Sequence, residues 1–399
     1  MRDLKVPICN FLLLLLSYGY IYSQENNPKI KYYTLEDGLS QVSSNDLLLD
    51  SSGFVWIATQ DGLNKFDGNK FEHYKYNKED SLTLSGNLIL KLLEDSTGKI
   101  WVGTKGNGLN YYDPELEIFH RIKLKGSSDG NEIITALAED KQQNIWVGSQ
   151  VSGLHKLSYS DSGDLIKEIS LKEKAITGAL IDNENMLWVG DNNGAIYHID
   201  PSSAKTPESN PLAKVKGNVQ AFYRTTKHLL IGGDFGLHIY DIANRKVELF
   251  ELSSGKELST KHVLAFLKND DKSVWIGTGN GIYLFDWVNR HILKKILYSE
   301  DKKNGLSNGT VQALLQISKD QMLVGTANYP NLIDLAEPNF KNISKNLRGD
   351  HLLNDNVIFS IFKEGDDLWI GTSDGGLNLI RAGKAYYFKN DQNNPNGFS

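Results

Sequence analysis

Cysteine is almost missing from this 399-residue chain: there is one, Cys9. It sits in an apolar run near the N-terminus, without the small residues that precede a lipid-attachment cysteine, and reads as filler of that run. The rest of the sequence therefore offers no disulfide, no thiolate nucleophile and no cysteine–zinc site. Proline is also scarce, 9 residues against 36 glycines, which fits many tight turns rather than a proline-rich linker. No basic run suited to a phosphate backbone occurs, and the formal charge is −6, so nucleic acid is not expected as a partner. No HExxH pair is present, and the histidines are scattered, with His73, His120 and His155 at or near predicted strands; no metal or other cofactor is expected. After residue 24 no segment keeps the i, i+3, i+4 spacing of a long helix. Hydrophobic residues at 40% and charged residues at 23% exclude a disordered chain.

What is present begins with a leader. Arg2 and Lys5 precede the apolar stretch Ile8–Leu16, and Tyr22-Ser23-Gln24 follows as a small-residue stop. This pattern predicts a secretory signal peptide over 1–23, too short for a comfortable membrane span. Export to the periplasm is the expected localisation.

The remainder is organised around one recurring stretch. It appears first as Phe54–Gly68, FVWIATQDGLNKFDG, and returns in register at Ile100, Ile145, Leu187, Leu229, Val274, Met322 and Leu368. Its key positions are Trp56, Trp101, Trp146, Trp188, Leu230, Trp275, Leu323 and Trp369. A fixed period of roughly 45 residues with four short strands per unit selects a β-propeller over a helical solenoid. In the first unit the strands are predicted over Asp46–Asp50, Phe54–Thr59, Leu63–Asp67 and Lys70–Tyr76. Turns such as Asp95–Gly98 and Asp182–Asn185 put Asp first and Gly or Asn where φ must be positive. The Trp is expected to fill the space between blades, and the Gly or Ala two residues on (Ala58, Gly103, Gly148, Gly190) to admit the next sheet.

The expected fold is therefore all-β, a propeller of four-stranded antiparallel blades. The repeats alone leave open seven blades over 24–345, with 346–399 holding an eighth repeat that starts a second propeller, and one eight-bladed ring; the family resemblance given below implies the former. The tail Phe388–Ser399 resembles Tyr74–Ser85, the linker into the second repeat, as though a ninth repeat were beginning. Lys29–Thr34 has no blade of its own and is expected to close the ring by pairing with the last one.

These units resemble the two-component regulator propeller repeat. The resemblance rests on Asp37-Gly-Leu-Ser40, Asp50-Ser-Ser-Gly53, Trp56-Ile-Ala-Thr59 and Gly62–Asp67, and on their recurrence across residues 30–399. It is weakest in the fifth and seventh repeats, where Leu230 and Leu323 replace Trp. The resemblance implies the exported sensor of a hybrid two-component protein, of a kind associated with oligosaccharide utilisation. It further implies membrane-anchored signalling domains as partners, with a homodimer left open. No kinase, receiver or second membrane segment is encoded here, so no enzyme activity is expected of these residues.

The loops after the WIGT-type strands vary while their flanks repeat, which marks them as candidate ligand contacts on one face of the ring. The residues singled out are Gln60, Asp61, Lys105, Asn107, Gln150, Asn192, Asp234, Phe235, Asn280, Tyr329 and Asp374. Amides, carboxylates and two aromatics suit the hydroxyls and apolar faces of a sugar; the plain alternative is that loops are polar because they are wet. A carboxylate pair drawn from Asp61, Asp191, Asp234 and Asp374 would be needed for a lyase or glycosidase, and a free-standing binding scaffold is a third reading. Gly371–Gly375 matches G-x-S-x-G, and Gly277–Gly281 a dinucleotide loop, but register makes both ordinary repeat loops with no helix to follow. Trp287 alone is out of register, either as an exposed stacking platform or packed against the outer strand of its own blade. Asn308-Gly-Thr310 and Asn342-Ile-Ser344 match glycosylation sequons.

Overall fold

The computed structural model describes residues 28–126, 131–160, 162–203, 210–250, 262–300, 305–336, 353–381 and 384–389. The leader, the sequon at Asn342 and the tail beyond residue 389 lie outside them. Every regular element among the described residues is a strand. No helix there is long and apolar enough to cross a membrane. The chain divides into two compact units, one ending at Ala336 and one beyond it.

Among the described residues of the first unit, the first six repeats each supply four antiparallel strands and the seventh supplies three. The first repeat forms Asp46–Leu49, Val55–Thr59, Gly62–Phe66 and Phe71–Tyr74, within two residues of the predicted bounds. Five sheets of this kind are separate. The second and third repeats share one eight-stranded sheet, because Glu132 and Ile133 pair with Gly106 and Lys105. That fusion was not foreseen. The strand Ile100–Gly106 runs two residues longer than its counterparts in the first and third repeats, and its extra length meets the incoming inner strand.

The five in-register tryptophans of the first unit do what their register predicts. Trp56 packs with Ile89, Ile100 and Val102 of the next repeat, Trp101 with Ile134 and Val147, and Trp146 with Ile176 and Val189. Trp188 reaches Val219 and Ile231, and Trp275 reaches Val311 and Val324. Such indoles bury large apolar areas between sheets covered on both faces. The glycines leave room for this approach. A Cβ on Gly103 would sit 2.6 Å from Ile134 Cγ2, and one on Gly190 would sit 2.4 Å from Val219 Cγ1.

The indole nitrogen is satisfied by the turn that precedes it. Asp95 accepts from the N–H groups of Thr97 and Lys99 through one oxygen and from Trp101 Nε1, at 2.7 Å, through the other. Asp50, Asp140 and Asp182 repeat the arrangement with Trp56, Trp146 and Trp188. The spacing Asp-x-x-x-x-x-Trp thus has one cause: a single carboxylate closes the turn and holds the indole. The sixth repeat has Asn269 at this place, and Trp275 Nε1 is buried without a hydrogen-bond partner.

The sequence of sheets comes back on itself. Leu323 of the seventh repeat packs with Leu47, Val55 and Ile57 of the first. The strand Lys29–Tyr32 pairs with Asn331–Asp334 and supplies the seventh sheet's fourth strand, as expected. The second unit, taken alone, is a single four-stranded sheet over Ile358–Glu364, Asp367–Thr372, Gly376–Arg381 and Lys384–Phe388. Its first strand is exposed throughout, with Phe359, Ile361 and Phe362 uncovered.

Candidate functional site

The loops singled out from sequence all join the second and third strands of their sheets, so in the first unit they share one edge of the stacked repeats. Backbone bonds tie them to the linkers of the neighbouring repeat on that edge: Gly62 N donates to Asn87 O, Gly281 N to Gly309 O, and Tyr329 N to Val42 O. Ten of the eleven candidates lie here. Asp374 lies in the second unit, where its N–H donates to Asp355 Oδ2.

Within this rim the candidates differ in what they leave free. Gln60, Lys105, Asn107, Gln150, Asn192 and Asn280 are exposed. Asp61 is half-exposed and paired with Lys75 Nζ at 2.5 Å. Asp234 accepts from Asn218 N at 2.8 Å, and Phe235 lies edge-on to His238 with ring centres 4.8 Å apart. Tyr329 takes a positive φ of 67°, a conformation rare for a bulky residue. Its carbonyl accepts from Asn331 Nδ2, which fixes the strained turn.

Of the four carboxylates considered for catalysis, three serve local roles. Asp61 has Lys75 and Asp234 caps its linker. Asp191 is buried and closes its own turn through Asn193 N and Ala195 N. Asp374 belongs to the other unit. The serine of Gly371–Gly375 falls in a strand–turn–strand, not at the head of a helix. Trp287 is half-buried and packs, like Ile292 of its own outer strand, against the core around Phe285.

One polar group at this edge was not singled out. Asn64, Asn110 and Asn331 occupy the same place in the third strand, and each accepts from the backbone of its incoming linker, at Ser40, Ser85 and Ser307. The third repeat has His155 there. Its Nε2 lies 2.6 Å from Ser152 Oγ, and Ser152 Oγ donates to Glu132 Oε1 at 2.7 Å. Ser149 Oγ also bonds Glu132 Oε1. All four side chains are buried. Burial pushes the His155 pKa down to about 4, against the opposing pull of Glu132, so the ring is neutral near pH 7. Nε2 is then the donor, and Nδ1 is left without a partner. Ser152 gives its proton to Glu132 rather than to histidine, so this is a structural network and not a nucleophile with its base. The signal was legible: GLH at 153–155 where the first, second and eighth repeats read GLN, a change the fifth repeat shares with GLH at 236–238.

The two component regulator propeller model matches residues 83–106 and 127–150. Histidine kinase P4 of Formosa agariphila is 42% identical over 87 residues, 21% of this chain and 6% of that protein. Among solved structures, the extracellular domain of a hybrid two-component system from B. thetaiotaomicron superposes with a TM-score of 0.71 at 24% identity. The match covers 91% of this chain and 49% of that one. Virginiamycin B lyase from Staphylococcus aureus superposes at 0.56 with 14% identity, over 77% of this chain and 99% of the lyase. At those identities the likeness is one of fold. The chain spans about half the length of the first and a small part of the kinase.

Proposed function

We propose that this chain, which carries two-component regulator propeller repeats, is the exported ligand-sensing region of a longer two-component regulator. The observation that carries the reading is the repeat itself, matched at 83–106 and 127–150 and recurring in register through Leu368. Support comes from the kinship of 87 residues with a histidine kinase and from the leader pattern over 1–23. The seven repeats of the first unit form one closed ring on this reading. The inner-strand face of the eighth, with Phe359, Ile361 and Phe362 exposed, is to be covered by further repeats of a second propeller.

The ligand we infer is an oligosaccharide held at the rim. Exposed Gln60, Lys105, Asn107, Gln150, Asn192 and Asn280 offer donors and acceptors for hydroxyls, and Phe235 and Tyr329 offer apolar faces. Binding there would bias the packing of membrane-coupled partner domains, a shift between two pre-existing states whose size is set by the difference in affinity for them. Two measurements test the reading. Calorimetric titration with a broad oligosaccharide panel is expected to give heat that Asn107→Ala and Phe235→Ala reduce; silence across the panel would sink the ligand claim. An immunoblot of native cells is expected to show a band far above the 44.7 kDa of this chain, and a band at that mass would sink the regulator claim.

A further inference from the structure

The fifth repeat departs from the array at linked positions. Thr225 stands where Asp95 caps its turn and Leu230 where the indole would be. The turn is also shorter, since Thr225 N bonds His228 O whereas Asp95 N bonds Lys99 O. Just before the turn, Glu94 and Glu139 reach back to Ser51 and Ser96 of the preceding sheet. The residue paired equivalently in the fifth sheet is Arg224, opposite Leu229. It reaches back too, with Nη2 3.3 Å from Glu184 and Nε 3.6 Å from Asp182.

A cavity of about 470 Å³ opens here, across the turns between first and second strands of the fourth, fifth and sixth repeats. Those turns lie at the opposite strand ends from the rim loops. Its volume is within the range of small-molecule sites. Tyr223 and Trp287, the indole out of register, line it. So does Arg224, whose side chain is only 12% exposed and whose Nε and Nη1 are buried without hydrogen-bond partners.

The lining charges decide the ligand class. Two cations, Arg224 and Lys268, face four carboxylates, Asp182, Glu184, Asp270 and Asp271. The carboxylates are already engaged: Asp182 by Trp188 and its own turn, Asp270 by Lys272 N and Ser273 N, Asp271 by Lys268, and Glu184 by Arg224. What remains is two buried guanidinium donors without a hydrogen bond, Nη1 and Nε, the latter 3.6 Å from Asp182, beside aromatic walls in a site with surplus negative charge. An anion is repelled, a plain hydrocarbon leaves the donors unpaired, and an uncharged polyol with an apolar face satisfies both constraints.

We propose that this cavity binds one neutral sugar unit of a glycan, with Arg224 donating to its oxygens and Tyr223 or Trp287 covering its apolar face. The site is separate from the rim and stands or falls independently of it. The test uses the chain labelled with 5-fluorotryptophan. Of its seven tryptophan signals, that of Trp287 is assigned by its loss in Trp287→Phe. Maltose, cellobiose and xylobiose are titrated to about 10 mM, a range that detects binding in the millimolar class. The expected result is a saturable shift of the Trp287 signal by at least one of them, unchanged in the rim variant Phe235→Ala. Arg224→Met is expected to abolish the shift while the other indole signals persist. If that variant does not fold, Arg224→Lys, which keeps the charge beside Glu184, is expected to weaken binding about tenfold or more. The proposal is overturned if no neutral disaccharide moves the signal, if the shift survives the Arg224 substitutions, or if a uronic-acid disaccharide binds as well. Loss of calorimetric heat in rim variants with the Trp287 shift intact would separate the two sites.

Discussion

His155 shows how one substitution within a repeat changes the chemistry of the interior. Where Asn64 and Asn110 are neutral at every pH, His155 titrates, and burial holds its pKa near 4 instead of the ordinary 6.5. The unfolded chain therefore takes up a proton more readily than the folded one. Stability is fully present above about pH 6.5 and is lost as the pH falls towards 4, by on the order of 2–3 kcal/mol. Urea midpoints at pH 7 and pH 4.5 measure this loss, and His155→Asn is expected to remove most of it. An unchanged acid limb in that variant would show that the network carries no such linkage. The turn aspartates allow a sharper comparison. Asp95→Ala strands the buried Trp101 Nε1 and two turn amides, at a cost of about 2–3 kcal/mol. Asn269→Ala is expected to cost only about 1 kcal/mol, because it loses the bond from Asn269 Nδ2 to Ser273 Oγ while Trp275 Nε1 has no partner to lose. Equal costs in chemical denaturation would refute the role given to the carboxylate.

Among elements, the strand Lys29–Tyr32 carries the argument that the ring is fastened by its own N-terminal segment. It aligns residue by residue with Asn331–Asp334, and Tyr32 Oη donates to Gly305 O at 2.7 Å. Without it Asn331–Asp334 becomes an exposed edge, and such edges recruit other chains. Deleting residues up to Thr34 is expected to lower the thermal midpoint by several degrees and to produce self-association in size-exclusion chromatography. A monomer with an unchanged midpoint would mean that closure rests on the packing of Leu323 alone. This strand was legible because KIKYYT alternates and has no blade of its own. The fusion of the second and third sheets was not, because two extra paired residues leave no compositional mark. The rim positions were legible from loop variability, but their engagements were not. That Asp61 meets Lys75, and that Asp234 caps Asn218, depends on contacts from residues fourteen or more positions away. Arg224 lay unnoticed for a related reason: its meaning comes from the inverted charge at a place held by Glu94 and Glu139, which pairing register reveals and spacing alone does not.

For the whole molecule the question is which residues form a self-sufficient unit. Among the described residues of the first unit every inter-sheet cluster has its partner, including the one that joins Leu323 to Leu47 and Val55, so no large apolar face of a sheet is left there waiting for a neighbour. The second unit is the reverse. It is one sheet with a small buried cluster of Leu353, Ile370 and Ile380, and its first strand shows solvent Phe359 at 76% and Phe362 at 63% exposure. A lone four-stranded sheet of this size buries too little apolar surface to offset the entropy of ordering its chain. A chain cut after Ala336 is therefore expected to keep the thermal midpoint of the full 399 residues within about 2 °C. It is also expected to bind less of a hydrophobic dye and to stay soluble at higher concentration, because the exposed Phe359–Phe362 strand is gone. Residues 337–399 alone are expected to give no cooperative transition. A drop of 10 °C or more on removing them would mean that the eighth repeat contributes to the stability of the first ring, and the assignment of that repeat to a second propeller would have to be given up.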